Sequence, residues 1–475
     1  MTRDDRLMAR CAMLLAAALL AACAQPEPSA GPASASFDPI EAAFVVLGAG
    51  GEPLARVITR ATDCPVLLVD DVGQPMIVRA APATLPLRAT ISAPADSKAS
   101  AFPVLVCDAI LGAGVRRATV GGHALPLPRH ELRRIVVIGD TGCRIKKSDG
   151  VFQACNTSAE WPFAQVAAAA AATRPDLVIH VGDYHYRENA CPTGDAGCAG
   201  SPWGYGWDAW NADFFAPARP LLEAGPWIVV RGNHESCNRA GQGWWRLVDP
   251  RPLAPRRDCN DAANDDIGDY SEPYAVPVTH DTQFIVFDSS KVGINALATS
   301  DPMYLTYSLQ MRQAFDLGRD VAHNFFMNHH PVLGFAPNPS QKPTGLYPGN
   351  QALQSVLAPI NSQLLFPSNV QAQLSGHFHL FEMVSFATAQ PTQLISGNGG
   401  AWADVPLPLA LARSSEPAPG AVVETIVSTN QYGFMILEKE SDGAWRIEAR
   451  DRRGQLATTC VLRDTKTRCI PETVP

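Results

Sequence analysis

The sequence lacks an excess of positive charge. Its 475 residues include 38 Lys and Arg against 46 Asp and Glu, which gives a formal net charge of −8. Proteins that bind nucleic acid through its phosphates need a basic surface, so this composition argues against a nucleic-acid partner. With 46% hydrophobic and 18% charged residues, the chain is typical of a globular protein with a sizeable core and more than one domain.

Beyond residue 30 the sequence also lacks a run of about twenty apolar residues, so we expect no transmembrane helix in the mature chain. The first thirty residues have the order of a targeting segment: a start with three arginines, the apolar stretch CAMLLAAALLAA, and then Cys23. The end of that stretch, LAAC, resembles a bacterial lipobox, in which the cysteine receives a lipid after cleavage. The alternative is plain signal cleavage near AACA.

Both alternatives predict export to the bacterial periplasm or the cell surface. The lipoprotein interpretation places the signal peptide at residues 1–23 and a membrane anchor on Cys23. The Pro-, Ala- and Ser-rich residues 24–37 then form a flexible linker.

No CxxC motif occurs anywhere in the chain, which argues against a zinc site built from cysteines. Without Cys11 and Cys23, ten cysteines remain, an even number in a compartment that permits disulfides. Sequence alone does not fix their connectivity. Their order favours pairing between neighbours along the chain, namely Cys64–Cys107, Cys143–Cys155, Cys191–Cys198, Cys237–Cys259 and Cys460–Cys469.

The pattern of apolar residues divides the chain into regions. Residues 38–130 contain short Val- and Leu-rich runs between Gly, Pro and Asp, which predicts an N-terminal β-sandwich domain. Residues 131–455 alternate apolar strands with helix-like segments, which predicts a layered α/β (α+β) domain that carries the activity. Residues 456–475 are expected to form a C-terminal tail with one disulfide.

Five apolar runs of the second region end in polar side chains. Carboxylate, amide and imidazole groups bind metals, and the loops after strands in layered α/β proteins are where ligands are bound. One such junction is ordinary turn chemistry, but five together indicate a site. The junctions are RIVVIGD at Asp140, DLVIHVGD at Asp183, PWIVVRGNHE at Asn233 and His234, NFFMNHHP at His329 and His330, and VQAQLSGHFH at His377 and His379.

In order and form, GDTG, GDYHY, GNHE, NHHP and GHFH resemble the motifs of the calcineurin-like metallophosphoesterases, and in particular of their purple acid phosphatase branch. The general family begins with Asp-x-His, but Gly142 stands at the histidine position here. Tyr186 stands where the purple acid phosphatases carry a tyrosine ligand. The resemblance covers roughly residues 133–400 and implies a sandwich of two mixed sheets flanked by helices.

The resemblance also implies a ligand set for two metal ions. Asp183 is expected to bridge the ions with its two oxygens. Asp140, Tyr186 and His379 would complete the first site, and Asn233, His329 and His377 the second. The hard phenolate and carboxylate ligands suit Fe3+ in the first site, and the amide and imidazoles suit a divalent Fe2+, Zn2+ or Mn2+ in the second. His329 is preferred to His330 because it begins the His-x-Pro form.

His234 follows a ligand position directly and is the candidate proton donor to the leaving group. The alternative is a structural role for its ring, bonded to Glu235 or to a backbone carbonyl. The function implied is an exported phosphatase that hydrolyses phosphomonoesters by attack of a metal-bound hydroxide. The alternatives are a phosphodiesterase or nucleotidase of the same family, and an inactive surface-binding protein.

Overall fold

The computed structural model describes residues 38–470. The signal peptide, the linker and Cys23 lie outside the described residues. In chain order the strands are β1 Ile40–Leu47, β2 Pro53–Thr59, β3 Val66–Val69, β4 Val72–Pro75, β5 Ile77–Ala80, β6 Ala83–Leu85, β7 Ser100–Phe102, β8 Leu105–Ile110, β9 Ala118–Val120, β10 His123–Ala124, β11 Arg134–Ile138, β12 Ile145–Lys146, β13 Val151–Phe152, β14 Leu177–His180, β15 Trp227–Val229, β16 Tyr274–Pro277, β17 Thr282–Val286, β18 His323–Met327, β19 Ala336–Asn338, β20 Gly345–Tyr347, β21 Val370–Ser375, β22 Phe381–Phe386, β23 Thr392–Ser396, β24 Val423–Thr429, β25 Gly433–Lys439, β26 Trp445–Asp451, β27 Leu456–Arg463 and β28 Lys466–Ile470.

The helices lie between these strands. They are α1 Phe163–Ala172, α2 Trp207–Trp210, α3 Ala216–Leu222, α4 Gly241–Gly243, α5 Asp265–Gly268, α6 Pro302–Gly318, α7 Gln351–Leu357 and α8 Leu409–Arg413. Within residues 38–470, no helix has the length and apolar character that a membrane crossing requires.

Two mixed sheets form the centre of the fold. The first has the strand order β28-β27-β26-β25-β11-β14-β15-β1-β2-β8-β5, and its strands β11, β14 and β15 are parallel. The second has the order β16-β17-β18-β21-β23-β22-β24, and its strands β17, β18, β21 and β23 are parallel. The parallel strands are buried on both faces, as continuous apolar runs such as RIVVI predict.

The sheets face each other across a shared core and carry helices on their outer faces. Side chains from both sheets, such as Val137 and Met327, belong to one buried cluster. Helix α1 lays Phe163, Val166 and Ala170 against the outer face of the first sheet, an apolar spacing of one helical stripe. Helices α6 and α7 cover the second sheet in the same way. This architecture confirms the predicted sandwich of two mixed sheets flanked by helices.

The N-terminal region is rich in strands, as predicted, but it does not form a separate sandwich. Strands β1, β2, β5 and β8 continue the first sheet, and β1 runs parallel to β15 with Val46 opposite Trp227. Strands β3, β4, β9 and β10 form a small sheet of their own. The run AAFVVL is buried along nearly its whole length because β1 lies inside a large sheet, where both faces are covered.

The C-terminal residues differ from the predicted tail in a similar way. Strands β27 and β28 extend the edge of the first sheet, and Cys460 lies directly opposite Cys469 across them. Residues 471–475 lie outside the described part of the chain. All five neighbouring cysteine pairs are joined as disulfides, which confirms the predicted connectivity.

Candidate metal centre

The five predicted junctions all follow the carboxyl ends of parallel strands. Asp140, Asp183 and Asn233 follow β11, β14 and β15 of the first sheet, whereas His329 and His377 follow β18 and β21 of the second. Because the two sheets face each other, their carboxyl edges bring these loops together. The first and the last of these loops thus lie close together, although nearly 240 residues separate them along the chain.

Three of these residues have a backbone conformation that is unusual for a residue with a side chain. The φ angles are +55° at Asp140, +58° at Asp183 and +70° at His377. Such left-handed residues cost free energy and persist only where surrounding contacts fix them, which is common at functional sites. The strained backbone turns each side chain sharply from the end of its strand into the same space.

Glycines beside these residues leave room for neighbouring groups. A Cβ atom at Gly182, whose φ is +105°, would lie 2.4 Å from Nδ1 of His329. A Cβ atom at Gly142 would lie 2.8 Å from the backbone N of Tyr186 and 2.9 Å from a carboxylate oxygen of Asp213. The backbone of Tyr186 therefore occupies the space that a histidine at position 142 would need.

Three predicted first-site residues converge at the phenol oxygen of the fourth, Tyr186. Its Oη atom lies 3.0 Å from Oδ1 of Asp140, 2.9 Å from Oδ2 of Asp183 and 2.8 Å from Nε2 of His379. The single phenol proton cannot serve three partners at once. A cation among these oxygen and nitrogen atoms would satisfy all of them, so the donor set fits a hard metal ion.

The second-site residues form an adjoining cluster. Nε2 of His329 lies 3.2 Å from Oδ2 of Asp183 and 3.1 Å from Oδ1 of Asn233. Nδ1 of His377 lies 3.1 Å from the same amide oxygen. The ligand atoms of Asp183, His329 and His377 are all within 4.8 Å of one another, the spacing of a site that can hold a metal ion.

The carboxylate of Asp183 faces the two clusters through one oxygen only. Its Oδ2 atom is the one near both Tyr186 and His329, whereas Oδ1 accepts a hydrogen bond from the backbone N–H of His234 at 2.8 Å. The bridge through both oxygens that the resemblance implies stays a prediction, because a carboxylate oxygen that accepts one hydrogen bond can still bind a cation.

Backbone carbonyls orient two of the histidines. Nδ1 of His329 donates to the carbonyl of Val181 at 2.8 Å, and Nδ1 of His379 donates to the carbonyl of Trp402 at 2.6 Å. A proton on Nδ1 leaves the lone pair of Nε2 directed into the site. This arrangement is the one that a metal-binding histidine adopts.

The site favours positive charge. Although burial lowers it, the carboxylate of Asp183 raises the pKa of His329 to about 9. Although burial raises it, the charges of His329 and His234 bring the pKa of Asp183 well below its usual range. Burial, Asp140 and Asp183 raise the pKa of Tyr186 well above its ordinary value, so a phenolate here requires a nearby cation.

The histidine beside His329 has a different environment. Nδ1 of His330 lies 3.0 Å from the hydroxyl of Ser289, and its ring packs 4.3 Å from that of His377. Of the two neighbouring histidines, His329 is therefore the one whose ring nitrogen meets Asp183 and Asn233.

The ring of His234 lies at the edge of the first cluster. Its centroid is 3.9 Å from that of Tyr186, and its Nε2 lies 3.9 Å from Oδ2 of Asp183. Nδ1 lies 3.0 Å from both Oε1 of Glu188 and the carbonyl of His185. Burial, together with the charge of a neighbouring arginine, lowers the pKa of His234 to about 4.

Sequence reasoning missed Glu188, which is an ordinary charged residue in a loop by its local pattern. Its buried carboxylate contacts His234 through Oε1, which also accepts from Arg239, while Oε2 accepts from the hydroxyl of Tyr205 at 3.0 Å. Three partners fix this carboxylate, and the carboxylate fixes the ring of His234. No sequence signal marks it, because its partners come from distant loops.

Sequence reasoning also missed Asp213, which lies in the aromatic segment WDAWNADFF before GNHE. Its Oδ2 atom accepts hydrogen bonds from the backbone N–H groups of Tyr186 at 2.7 Å and Arg187 at 3.0 Å, and Oδ1 accepts from that of Cys143 at 3.0 Å. It therefore ties the GDTG loop to the GDYHY loop. A charged residue flanked by apolar aromatic residues was the available signal.

Side chains of three neighbouring strands hold the loop that carries His329. The side-chain oxygens of Gln373, Gln393 and Glu382 accept hydrogen bonds at 3.0–3.2 Å from backbone N–H groups within residues 332–335. All three side chains are buried. Side chains of the second sheet thus hold the backbone that directly follows His329.

Glu235 fixes the backbone of two of the loops that carry predicted ligands. Its two carboxylate oxygens accept four backbone N–H groups, those of Gly232, Asp183, Tyr184 and His185, at 2.8–3.2 Å. Only a group that accepts at both oxygens can satisfy four donors. The carboxylate thereby holds the GNH and GDY loops in one arrangement.

We therefore expect Glu235→Gln to lower metal affinity by about 10- to 100-fold, because the new amide N–H₂ group would face backbone donors. The measurement is metal content after dialysis against a weak chelator. Glu223→Gln, at an exposed position after α3, is the matched control. Equal metal retention by the two variants would show that Glu235 does not position the centre.

The fold and these residues define a layered α/β protein with a candidate centre for metal ions. Residues 133–381, more than half of the chain, match the family model of the calcineurin-like phosphoesterases. The chain therefore belongs to the calcineurin-like phosphoesterase family of hydrolases, whose members typically hold two metal ions. None of the curated proteins matches it.

Two solved structures share the fold. The purple acid phosphatase PPD1 from seeds of yellow lupin (Lupinus luteus) superposes with a TM-score of 0.55 at 14% identity, over 90% of this chain and 73% of that one. PhoD superposes with a TM-score of 0.52 at 10% identity, over 91% of this chain and 92% of that one. At these identities the likeness concerns the fold.

Proposed function

We propose that the protein is a binuclear metal-dependent phosphatase of the purple acid phosphatase type that hydrolyses phosphomonoesters. The observation that supports this most directly is the pair of adjoining donor clusters that share Oδ2 of Asp183. Asp140, Tyr186 and His379 would hold Fe3+ with Asp183. Asn233, His329 and His377 would hold a divalent Fe2+, Zn2+ or Mn2+ with the same carboxylate.

Two ions in these positions would supply a water-derived nucleophile and neutralise the charge of the phosphate. The chain itself contributes orientation. The backbone carbonyls of Val181 and Trp402 fix the rings of two histidines, and the backbone N–H of His234 fixes the carboxylate of Asp183. These groups keep the ligand set in one geometry through a catalytic cycle.

His234 acts as the proton donor to the leaving alkoxide. Its Nδ1 side is held by Glu188 and by the carbonyl of His185, so Nε2 is the nitrogen directed toward the clusters. The negative charge of a phosphate ester beside the ring favours the protonated imidazole. A purely structural role for His234 would engage both ring nitrogens. Glu188 and the carbonyl of His185 contact Nδ1 only, which leaves Nε2 for a substrate.

We expect His234→Ala to slow hydrolysis of an alkyl phosphate by roughly 10²-fold or more, because a basic alkoxide needs a proton as it leaves. An aryl phosphate with a weakly basic leaving group should slow far less. The measurement is kcat/KM for both esters, with His280→Ala, whose side chain is 91% exposed, as the matched control. Equal slowing of the two esters would assign His234 to binding or structure.

The protein works outside the cytoplasm. Five disulfides in one chain are typical of proteins from oxidising compartments.

We further propose that Cys23 carries a lipid that attaches the chain to a membrane of the bacterial envelope. Cys23→Ala should then move the protein from the membrane fraction to the soluble fraction, or stall its processing. A variant that matures and fractionates with membranes as before would contradict this attachment.

The experiment that tests the activity compares an aryl phosphomonoester with the matching diester over pH 4–9, with metal content measured on the same preparation. We expect faster hydrolysis of the monoester. Faster hydrolysis of the diester would favour a phosphodiesterase, and hydrolysis of neither by metal-loaded protein would favour a binding protein.

A further inference from the structure

A cleft of about 450 Å³ opens beside the second donor cluster. The ring of His377 forms part of its wall, and the same ring directs Nδ1 to the amide of Asn233. A group attached to a phosphate at the metal centre could therefore reach this cleft without crossing the protein. We call it the apolar cleft and define it by Ile294, Pro331, Pro337, Tyr347, His377 and Phe378.

The lining of the apolar cleft offers little to a charged ligand. Asp404 is the one charged residue among those that line it, and its Oδ2 atom accepts the backbone N–H of His379 at 2.9 Å. The amide of Asn350 is engaged at both ends, with the backbone N–H of Leu353 and the carbonyl of Gly293. Asn295 and Gln351 add polar groups at exposed positions. A second phosphate would find no Lys or Arg in this lining.

Large apolar side chains are exposed at this end of the protein. Ile294 is 69% exposed and Tyr347 is 49% exposed. Trp402, whose carbonyl orients His379, is also 49% exposed, and nearby in the chain Val405 is 42% exposed. These side chains come from three separate segments of the chain: the loop after β17, strand β20 and the loop after β23. Apolar groups gathered beside a polar centre are typical of sites that bind an apolar ligand.

The cleft is built on paired backbone. Tyr347 lies in β20, which pairs with β19 so that Tyr347 stands opposite Ala336 and Leu346 opposite Pro337. Gly349 follows closely: a Cβ atom there would lie 1.9 Å from the carbonyl of Val332 in the loop after β18. The Tyr347 segment is thus packed against the loop that carries His329.

We propose that the apolar cleft binds the organic group of the phosphate ester, and that the preferred group is uncharged and apolar, such as an alkyl chain of several carbons. This inference rests on the proposed phosphatase function and names its substrate class. The apolar lining would gain from covering such a group, whereas a short or charged group would leave Ile294 and Tyr347 in water.

The test uses metal-loaded protein with methyl phosphate and hexyl phosphate, whose leaving groups are similarly basic alkoxides. We expect kcat/KM for hexyl phosphate to exceed that for methyl phosphate by about 10-fold or more, since the added methylenes would be buried. Ile294→Asp should bring the ratio of the two values close to unity. Leu309→Asp, at a 61% exposed position on α6 outside the cleft, should leave the ratio as in the wild type.

The outcomes separate this inference from the function on which it rests. If neither ester is hydrolysed, the phosphatase proposal fails and the cleft proposal fails with it. If both esters are hydrolysed at equal kcat/KM, or if Ile294→Asp leaves the ratio unchanged, the cleft proposal alone is overturned. Faster hydrolysis of a hexyl phosphate with a carboxylate at the far end of its chain than of hexyl phosphate would overturn it as well, because the two alkoxide leaving groups are similarly basic and only the charge differs.

Discussion

Asp183→Asn should lose both metal ions and lower kcat/KM by roughly 10³-fold or more. Oδ2 of Asp183 lies 2.9 Å from Oη of Tyr186 and 3.2 Å from Nε2 of His329. An amide in its place carries no charge to balance two cations. The measurements are metal content per chain and hydrolysis of an aryl phosphate by the same preparation.

The matched control for that experiment is Asp208→Asn, whose side chain is 51% exposed and pairs with Lys98. It should keep metal and activity. If Asp183→Asn retained about two ions per chain, the carboxylate would not be shared between the sites. The loop after β14 would then carry a turn residue at this position.

The second large effect concerns colour. We expect iron-loaded protein to absorb visible light, because a phenolate bound to Fe3+ gives a ligand-to-metal charge-transfer band. Tyr186→Phe should remove the band completely, since the ligand oxygen is deleted while the ring remains. The absorption spectrum and the metal content measured together distinguish loss of the phenolate from loss of iron.

Tyr184→Phe is the control for the colour. The hydroxyl of Tyr184 is buried two residues away and lies 3.4 Å from the carbonyl of His180, away from the donor clusters. That variant should keep the band. A band that survives in Tyr186→Phe, or iron-loaded wild-type protein that is colourless, would exclude Tyr186 as a ligand and place the site outside the purple acid phosphatase type.

The convergence of the site residues could be predicted because each junction contains both an apolar strand and the polar group at its end. A buried apolar strand that ends in Gly-Asp, Gly-Asn or Gly-His shows both the strand and the group at its end, as at Asp140 and Asn233. Parallel strands align those ends at one edge. Gly142 and Tyr186 could also be interpreted from the sequence, through the resemblance to the purple acid phosphatase motifs. The crowding at position 142 could not, because it comes from Tyr184, Tyr186 and Asp213 on distant loops.

The supporting contacts could not be predicted, because each depends on a partner far along the chain. Glu188 meets His234 across 46 residues, and Asp213 meets Cys143 across 70. The single-oxygen contact of Asp183 depends on a backbone N–H 51 residues away. None of these pairings has a local pattern.

The N-terminal strands show the same limit in the fold. The run AAFVVL predicts a strand, but it does not say which sheet the strand joins. Only the pairing of β1 with β15 shows that residues 40–47 extend the first sheet. The available signal was the uninterrupted apolar run itself, since a strand of a small sandwich with one exposed face alternates apolar and polar residues.

The central claim is that two adjoining clusters hold two metal ions that act together on a phosphate ester. The most direct measurement is a titration of chelator-treated protein with iron and zinc, in which ions bound per chain and hydrolysis of an aryl phosphomonoester are followed at each addition. The account predicts that activity appears only as binding approaches about two ions per chain, and that it remains absent before the second ion binds. Full activity at about one ion per chain, or in protein stripped of metal, would contradict it.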